Sequence, residues 1–156
     1  MPTTASEVQR IDDQIERAYR QGAWSGPTVL ETLFGVSTRK AAARPIGDAH
    51  SIWEITVHIG VWKDVVTRRL KGEVVSSVPP DQDWPPVTDT SAAAWKRALA
   101  DLEARHQALR KVVAGIRDEQ LDQPATKGGS SRYVQLHGVI QHDLYHAGQI
   151  ALLRKG

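Results

Sequence analysis

Apolar residues recur at helical spacing along four long stretches of the chain, and this pattern limits the fold more than any other feature of the sequence. Positions three and four residues apart share one face of a helix, so each stretch predicts a helix with one buried side. The four predicted helices cover about residues 5–21, 49–71, 91–116 and 131–154. A short helix is also predicted within GPTVLETLFG, residues 26–35.

Polar residues that can cap a helix stand near the predicted starts. Thr4, followed three positions later by Glu7, is typical of a capping box for the first helix. Asp48 is the predicted N-cap of the second long helix, and Ser130 or Ser131 that of the last. The connection SSVPPDQDWPPVTD holds four prolines, so it cannot be helical throughout.

The connections between the predicted helices are long. They span roughly 15–27 residues, which is more than most helix–helix connections. No stretch alternates like a strand for long, and four long amphipathic helices in a chain of this size favour a four-helix bundle. We therefore predict a single all-α domain over residues 1–156, a four-helix bundle with long crossover connections. Long loops at one end of such a bundle can form a pocket.

The composition argues against several classes of protein. The chain has a net charge of only +2 and no concentrated basic patch, so nucleic-acid binding is not expected. No apolar run approaches the roughly 20 residues of a membrane span, and the first residues lack the layout of a signal peptide. The chain has no cysteine. This absence fits a cytoplasmic protein, and any reactive sulfur must then come from a substrate.

The last predicted helix carries the motif HDLYH, in which His142 and His146 lie about 40° apart on the core-facing side. Both rings can reach one metal ion at about 2.0–2.1 Å. The same spacing also arises by chance in a chain with six histidines. The alternative interpretation is one core histidine with a backbone partner and one histidine at the rim.

The motif matches the HExxH signature of zinc proteases only in part. Asp143 stands where those enzymes carry a glutamate general base, and its side chain is one methylene shorter. Ten residues follow His146, so we expect a third protein ligand upstream. We therefore expect no protease, and we expect Asp143 to be a surface acid or a partner of a metal ligand rather than a catalytic base.

The second long helix offers an upstream ligand. His58 shares a core-facing stripe with Ile55 and Trp62, near the middle of the helix. Glu54, one turn earlier, either accepts the other ring N–H of His58 or is an acid at the edge of the core.

The other histidines are less informative. His50 is expected to be exposed or near the helix N-terminus, and His137 to be peripheral. His106 lies on the core stripe of its helix, where it is either a hydrogen-bonded core histidine or a residue beside the metal. Four further residues are predicted near the metal cavity: Trp62, Trp95, Gln135 and Gln149.

Two segments, WEITVHIGVW and HGVIQHDLYHAGQIALL, resemble the DinB-like family, also called DinB/YfiT. The resemblance covers nearly the whole chain and implies a four-helix bundle with a long crossover. It also implies a site for one divalent metal ion, usually zinc or nickel, whose ligands by position are His58, His142 and His146. In related families such a site serves thiol transfer with bacillithiol, mycothiol or glutathione, and homodimers are common.

The function expected from this resemblance is that of a metal-dependent enzyme. An ion held by three neutral imidazoles can deprotonate a small-molecule thiol, which favours a thiol transferase. It can also lower the pKa of water toward about 7, which favours a hydrolase. The third alternative is a stress protein that binds a metal or a small ligand without turnover. The expected partners are a small-molecule substrate and a second copy of the chain, with no nucleic acid and no membrane.

Overall fold

The computed structural model describes residues 4–156, and the regular secondary structure of these residues is helical. Residues 4–156 form seven α-helices: α1 (Glu7–Tyr19), α2 (Val29–Leu33), α3 (Thr38–Ala42), α4 (Ile52–Leu70), α5 (Pro80–Asp83), α6 (Ala92–Val113) and α7 (Arg132–Leu153). A 3₁₀ turn follows α6 at Asp118–Gln120, and the only strand-like pairing among residues 4–156 is an isolated bridge between Pro124 and Ser131. The all-α prediction is confirmed, and the four long helices correspond to α1, α4, α6 and α7. None of these helices is long and apolar enough to cross a membrane.

Serine residues cap all four long helices. In each case the serine hydroxyl accepts a hydrogen bond from the backbone N–H three residues on, and the caps are Ser6, Ser51, Ser91 and Ser131. Of the predicted caps, Ser131 is confirmed, whereas Thr4 and Asp48 are wrong. Ser6 and Ser51 lie closer to the first apolar turn, and each completes a reciprocal capping box with the residue three positions later.

The helices are not arranged in simple chain order. Both α6 and α7 contact both α1 and α4, which places α1 and α4 on opposite corners of the bundle. The connection from α1 to α4 therefore crosses the bundle, and it contains α2, which packs on α7, and α3, which packs on α4. The proline-rich connection from α4 to α6 contains α5, with Pro80 in its first turn.

A layer of polar side chains divides the core of the bundle. One apolar cluster includes Ile52, Ile55 and Ile59 of α4, and the second includes Val66 and Leu70 of the same helix. Between the two clusters each long helix contributes one polar residue to the interior: Glu16, Lys63, His106 and Asp143. The candidate metal ligands lie on α4 and α7, which pack together.

Candidate metal centre

Three histidine side chains from two neighbouring helices converge. His58 comes from α4, and His142 and His146 come from successive turns of α7. The Nε2 atom of His142 lies 3.1 Å from Nε2 of His58 and 3.1 Å from Nε2 of His146. Taking one ligand atom from each residue, all three atoms lie within 4.8 Å of one another. The structure thus brings together the three residues that the sequence singles out.

Hydrogen bonds fix the tautomers of two of these rings. Nδ1 of His58 donates to the backbone carbonyl oxygen of Asp83 at 2.8 Å, and Nδ1 of His146 donates to Oε1 of Gln149 at 2.6 Å. Because Nδ1 carries the proton in each neutral ring, Nε2 carries the lone pair. Both lone pairs then face the same small space at the centre of the cluster.

This arrangement fits a divalent cation. Lone pairs that face one another at close range repel unless a positive charge lies between them. The 3.1 Å separations match nitrogen ligands that share one ion at bond lengths of about 2.0–2.1 Å and an angle of roughly 100°. A three-imidazole donor set suits zinc, nickel and other transition metals, and it leaves coordination positions for water or substrate.

Burial keeps the three imidazoles in the neutral form that binds metals. It is the largest influence on each ring, and it lowers the pKa of His58, His142 and His146. For His142, repulsion by Lys63 and by a charge on either of the other two histidines adds to burial, and the pKa falls to about 3. The imidazoles therefore stay available as ligands at a lower pH than a histidine in water.

Helix α5 supplies a support for the cluster that the sequence analysis missed. The carboxylate of Asp83 accepts a hydrogen bond from Nε1 of Trp62 at 2.8 Å and lies 3.1 Å from Nδ1 of His58. A carboxylate or carbonyl behind a ligating histidine fixes the ring orientation and raises its basicity. The clue in the sequence was an acid inside the proline-rich segment, where no helical periodicity marks the position of a side chain.

Glu54 forms no hydrogen bond with His58, so the second interpretation of Glu54, an acid at the edge of the core, is the correct one. Its carboxylate accepts hydrogen bonds from Ser51, from Arg44 and from Nδ1 of His50 at 2.8 Å. Burial opposes ionisation of this carboxyl, but the hydrogen bonds outweigh burial and lower its pKa to about 2. Glu54 thus remains a carboxylate that orients His50.

Trp84 joins His50 to the candidate metal centre. Its indole stacks on the ring of His58 at a centroid distance of 3.7 Å and on the ring of His50 at 3.7 Å. The prediction that His50 lies near the helix N-terminus is confirmed, since the residue precedes the cap of α4. The position of His50 beside the candidate metal centre was not predicted. It depends on Trp84, which lies in the proline-rich connection and stacks on both histidine rings.

Two cavities flank the histidine cluster. The first, which we name the Trp84 cavity, has a volume of about 380 Å³ and is lined by residues that include His50, Trp84, Tyr145, His146, Gln149 and Leu152. The second, the Arg69 cavity, has a volume of about 250 Å³ and is lined by residues that include Trp62, Val66, Arg69, Gln135, Val139 and His142. A ligand of the cluster can thus extend in either direction.

The predicted cavity residues are mostly at the site. Gln149 contacts His146, Trp62 lies 6.1 Å from His142 between ring centroids, and Gln135 lines the Arg69 cavity. Trp95 lines neither cavity. It packs against Trp53 in the apolar cluster, and its indole N–H donates to a backbone carbonyl of the crossover segment.

Comparison with known protein families matches residues 21–150, most of the chain, to the DinB superfamily. The chain belongs to the DinB superfamily. The same comparisons found no match among curated proteins and none among solved structures. The DinB assignment agrees with the resemblance noted in the two histidine-bearing segments, and the all-helical fold agrees with both.

Two polar residues of this DinB chain lie outside the cluster, in the middle of the core. Asp143 is 1% exposed, and its carboxylate accepts a hydrogen bond from Lys63 at 2.6 Å, so the prediction of a surface acid is wrong. His106 is fully buried and bonds to Glu16 at 3.1 Å, which identifies it as a hydrogen-bonded core histidine. His137 is remote from the cluster, beside Tyr133 and residues of α1, as expected.

Proposed function

We propose that this DinB protein binds one divalent metal ion, zinc or nickel, through His58, His142 and His146. The observation that carries the proposal is the convergence of the three Nε2 atoms, with the Nδ1 protons of His58 and His146 held by acceptors behind the rings. Three buried polar rings without an ion would each need another partner, at a cost of about 1–3 kcal/mol for every group left unsatisfied. The buried Nδ1 of His142 has no hydrogen-bond partner within residues 4–156, so the contacts of this ring with the other two histidines are through Nε2.

The proposed reaction is transfer of an external thiol to an electrophilic substrate. The chain has no cysteine, so the sulfur must enter with a low-molecular-weight thiol such as bacillithiol, mycothiol or glutathione. A bound divalent ion would lower the pKa of a thiol beside it and so supply a thiolate near neutral pH. The sulfur forms a bond to the electrophilic carbon, the leaving group departs with its bonding electrons, and the thiol proton passes to a base.

The base that the Trp84 cavity offers is Nε2 of His50. Nδ1 of this ring donates to the carboxylate of Glu54, which leaves the lone pair on Nε2 to accept a proton. Apolar groups of Trp84, Tyr145 and Leu152 line the same cavity. The same walls would hold an apolar electrophile.

Metal content of purified variants tests the centre. After mild chelation and reloading with zinc or nickel, the wild-type protein should retain about one ion per chain, as expected for a single three-ligand site. His58→Ala should lose the metal nearly as fully as His142→Ala, although the two residues lie far apart in the sequence. His50→Ala and His137→Ala are the matched controls and should retain it. Full retention by His58→Ala would contradict the three-histidine site.

A thiol panel tests the reaction. Metal-loaded protein is incubated with each thiol and a chromogenic electrophile such as chlorodinitrobenzene, and the conjugate is quantified. Thiol-dependent conjugation that requires His58 supports transfer, and a fall of about 10²–10⁴-fold in His50→Gln with metal retained supports the base. Cleavage of ester substrates in the absence of thiol would contradict the transferase and support a hydrolase. If the protein binds metal but shows neither activity, the proposed reaction is wrong and the protein binds metal without turnover.

A further inference from the structure

Arg69, near the end of α4, lines the cavity that adjoins His142. Its guanidinium lies over the ring of Trp62 at 5.7 Å, and that ring lies 6.1 Å from the ring of His142. Trp62 therefore forms a continuous wall from the guanidinium to the candidate metal centre. A ligand held at the centre can run along this wall and reach Arg69.

The guanidinium has hydrogen-bonding capacity to spare. Its Nε and Nη2 atoms donate to the backbone carbonyl of Val75 at 3.0 and 2.8 Å, and Nη1 donates to Oε1 of Gln135 at 3.3 Å. An arginine carries five N–H donors, so two remain, one on each terminal nitrogen. Two free N–H groups on the terminal nitrogens allow the guanidinium to donate to both oxygens of a carboxylate.

Arg69 also lacks a counterion. No carboxylate of residues 4–156 lies within 4.0 Å of its guanidinium. The adjacent Arg68 pairs instead with Glu73 on the surface. Burial lowers the pKa of Arg69, and no nearby acid opposes the effect. A partly buried cation without an anionic partner is costly, and an incoming carboxylate would remove that cost.

We propose that Arg69 is the binding site for a carboxylate of the thiol co-substrate, which favours bacillithiol or glutathione over mycothiol, a thiol without a carboxylate, and that the chain of the thiol lies in the Arg69 cavity against Trp62. This inference rests on the proposed function for the identity of the ligand. It assigns the sulfur end of the co-substrate to the histidine cluster and the acidic end to the guanidinium. The electrophile then enters from the Trp84 cavity on the other side.

Paired ligands test the subsite without a need for turnover. Calorimetry on metal-loaded protein compares mercaptohexanoate with mercaptohexanol, and tryptophan fluorescence on metal-free protein compares hexanoate with hexanol. Each pair differs only in the carboxylate. Wild-type protein should bind the acid more tightly in both experiments. Arg69→Gln should weaken binding of the acid by about tenfold to a hundredfold and leave binding of the alcohol unchanged, as expected for loss of a charge-assisted hydrogen bond.

Arg68→Gln is the matched control, since it removes the neighbouring positive charge from outside the cavity and should leave both affinities unchanged. Arg69→Lys keeps the charge without the guanidinium and should give an intermediate loss. It also provides a second variant if Arg69→Gln does not fold. Equal affinities of acid and alcohol in wild-type protein would overturn the subsite, as would equal weakening of both ligands in Arg69→Gln. An Arg69-dependent preference for hexanoate in a protein that binds no thiol would keep the subsite and refute the proposed function.

Discussion

At the scale of single residues, His106 shows how the interior of the bundle holds a neutral imidazole. Its Nε2 proton is donated to Glu16, and its Nδ1 lone pair accepts from the ammonium of Lys63 at 3.3 Å. The ring of Tyr19 stacks on it at 3.8 Å. Burial, followed by the charge of Lys63, lowers the pKa of His106 to about 4, although Glu16 acts in the opposite direction.

This lowered pKa predicts a loss of stability in acid. Between about pH 6.5 and pH 4 the unfolded chain takes up a proton at His106 and the folded chain does not, so the free energy of unfolding falls as the pH falls. The contribution of His106 is complete above pH 6.5, and its loss over this range reaches about 3 kcal/mol. Urea unfolding of metal-free protein at several pH values should therefore show a steeper pH dependence in wild type than in His106→Gln. Parallel curves would contradict the assignment, because the other histidines contribute equally to both proteins.

The ligand residues could be predicted from the sequence, but their supports could not. His58, His142 and His146 lie on core-facing stripes of long helices, where periodicity alone shows the direction of a side chain. Asp83 and Trp84 come from the proline-rich connection, which has no such periodicity. Their contacts with His58 depend on how that connection folds back over α4, a tertiary feature that no local pattern contains.

At the scale of secondary-structure elements, a buried ion pair joins α4 to α7. Lys63 and Asp143 are 0% and 1% exposed, and their charged atoms lie 2.6 Å apart. Burial raises the pKa of Asp143, and the ammonium of Lys63 offsets part of this effect. Removal of one partner leaves an uncompensated charge in the core, whereas removal of both leaves none.

Lys63→Met should therefore destabilise the protein by about 3–5 kcal/mol. The double variant Lys63→Met/Asp143→Leu should recover most of this loss, because two apolar side chains replace the pair. Arg17→Ala is the control, since the Arg17–Asp13 pair is half exposed and its loss should cost less than about 1 kcal/mol. Chemical denaturation of the four proteins measures these differences. A double variant that recovers none of the stability lost in Lys63→Met would contradict this account of the pair.

The sequence predicted the long helices better than the short ones. Periodicity located α1, α4, α6 and α7 to within a few residues, because each buries an apolar face over several turns. The helices α3 and α5 were missed, since helices of five and four residues are too short to show periodicity. The caps at Ser6 and Ser51 were missed because other cap-forming residues, Thr4 and Asp48, stand just before them.

At the scale of the whole molecule, the crossover from α1 to α4 determines which helices meet at the candidate metal centre. Because α4 lies diagonally opposite α1, it packs beside α7, and the histidines of two helices distant in sequence become neighbours. A long connection in the sequence permits this arrangement but does not specify it. An ion at the centre would therefore link the second long helix to the last one.

Such a link predicts that metal stabilises the fold. The unfolded chain does not hold His58 near His142 and His146, so an ion binds the native state preferentially and shifts the unfolding equilibrium by mass action. At a free zinc or nickel concentration about a hundredfold above the dissociation constant, the stabilisation is about 2.7 kcal/mol. For a chain of this length the melting temperature should rise by about 5–10 °C. Calorimetric melting of His137→Ala should show the same rise as wild type, whereas His58→Ala and His142→Ala should show almost none. A rise of equal size in His58→Ala would mean that α4 is not part of the centre, and that metal bound by α7 alone accounts for the effect.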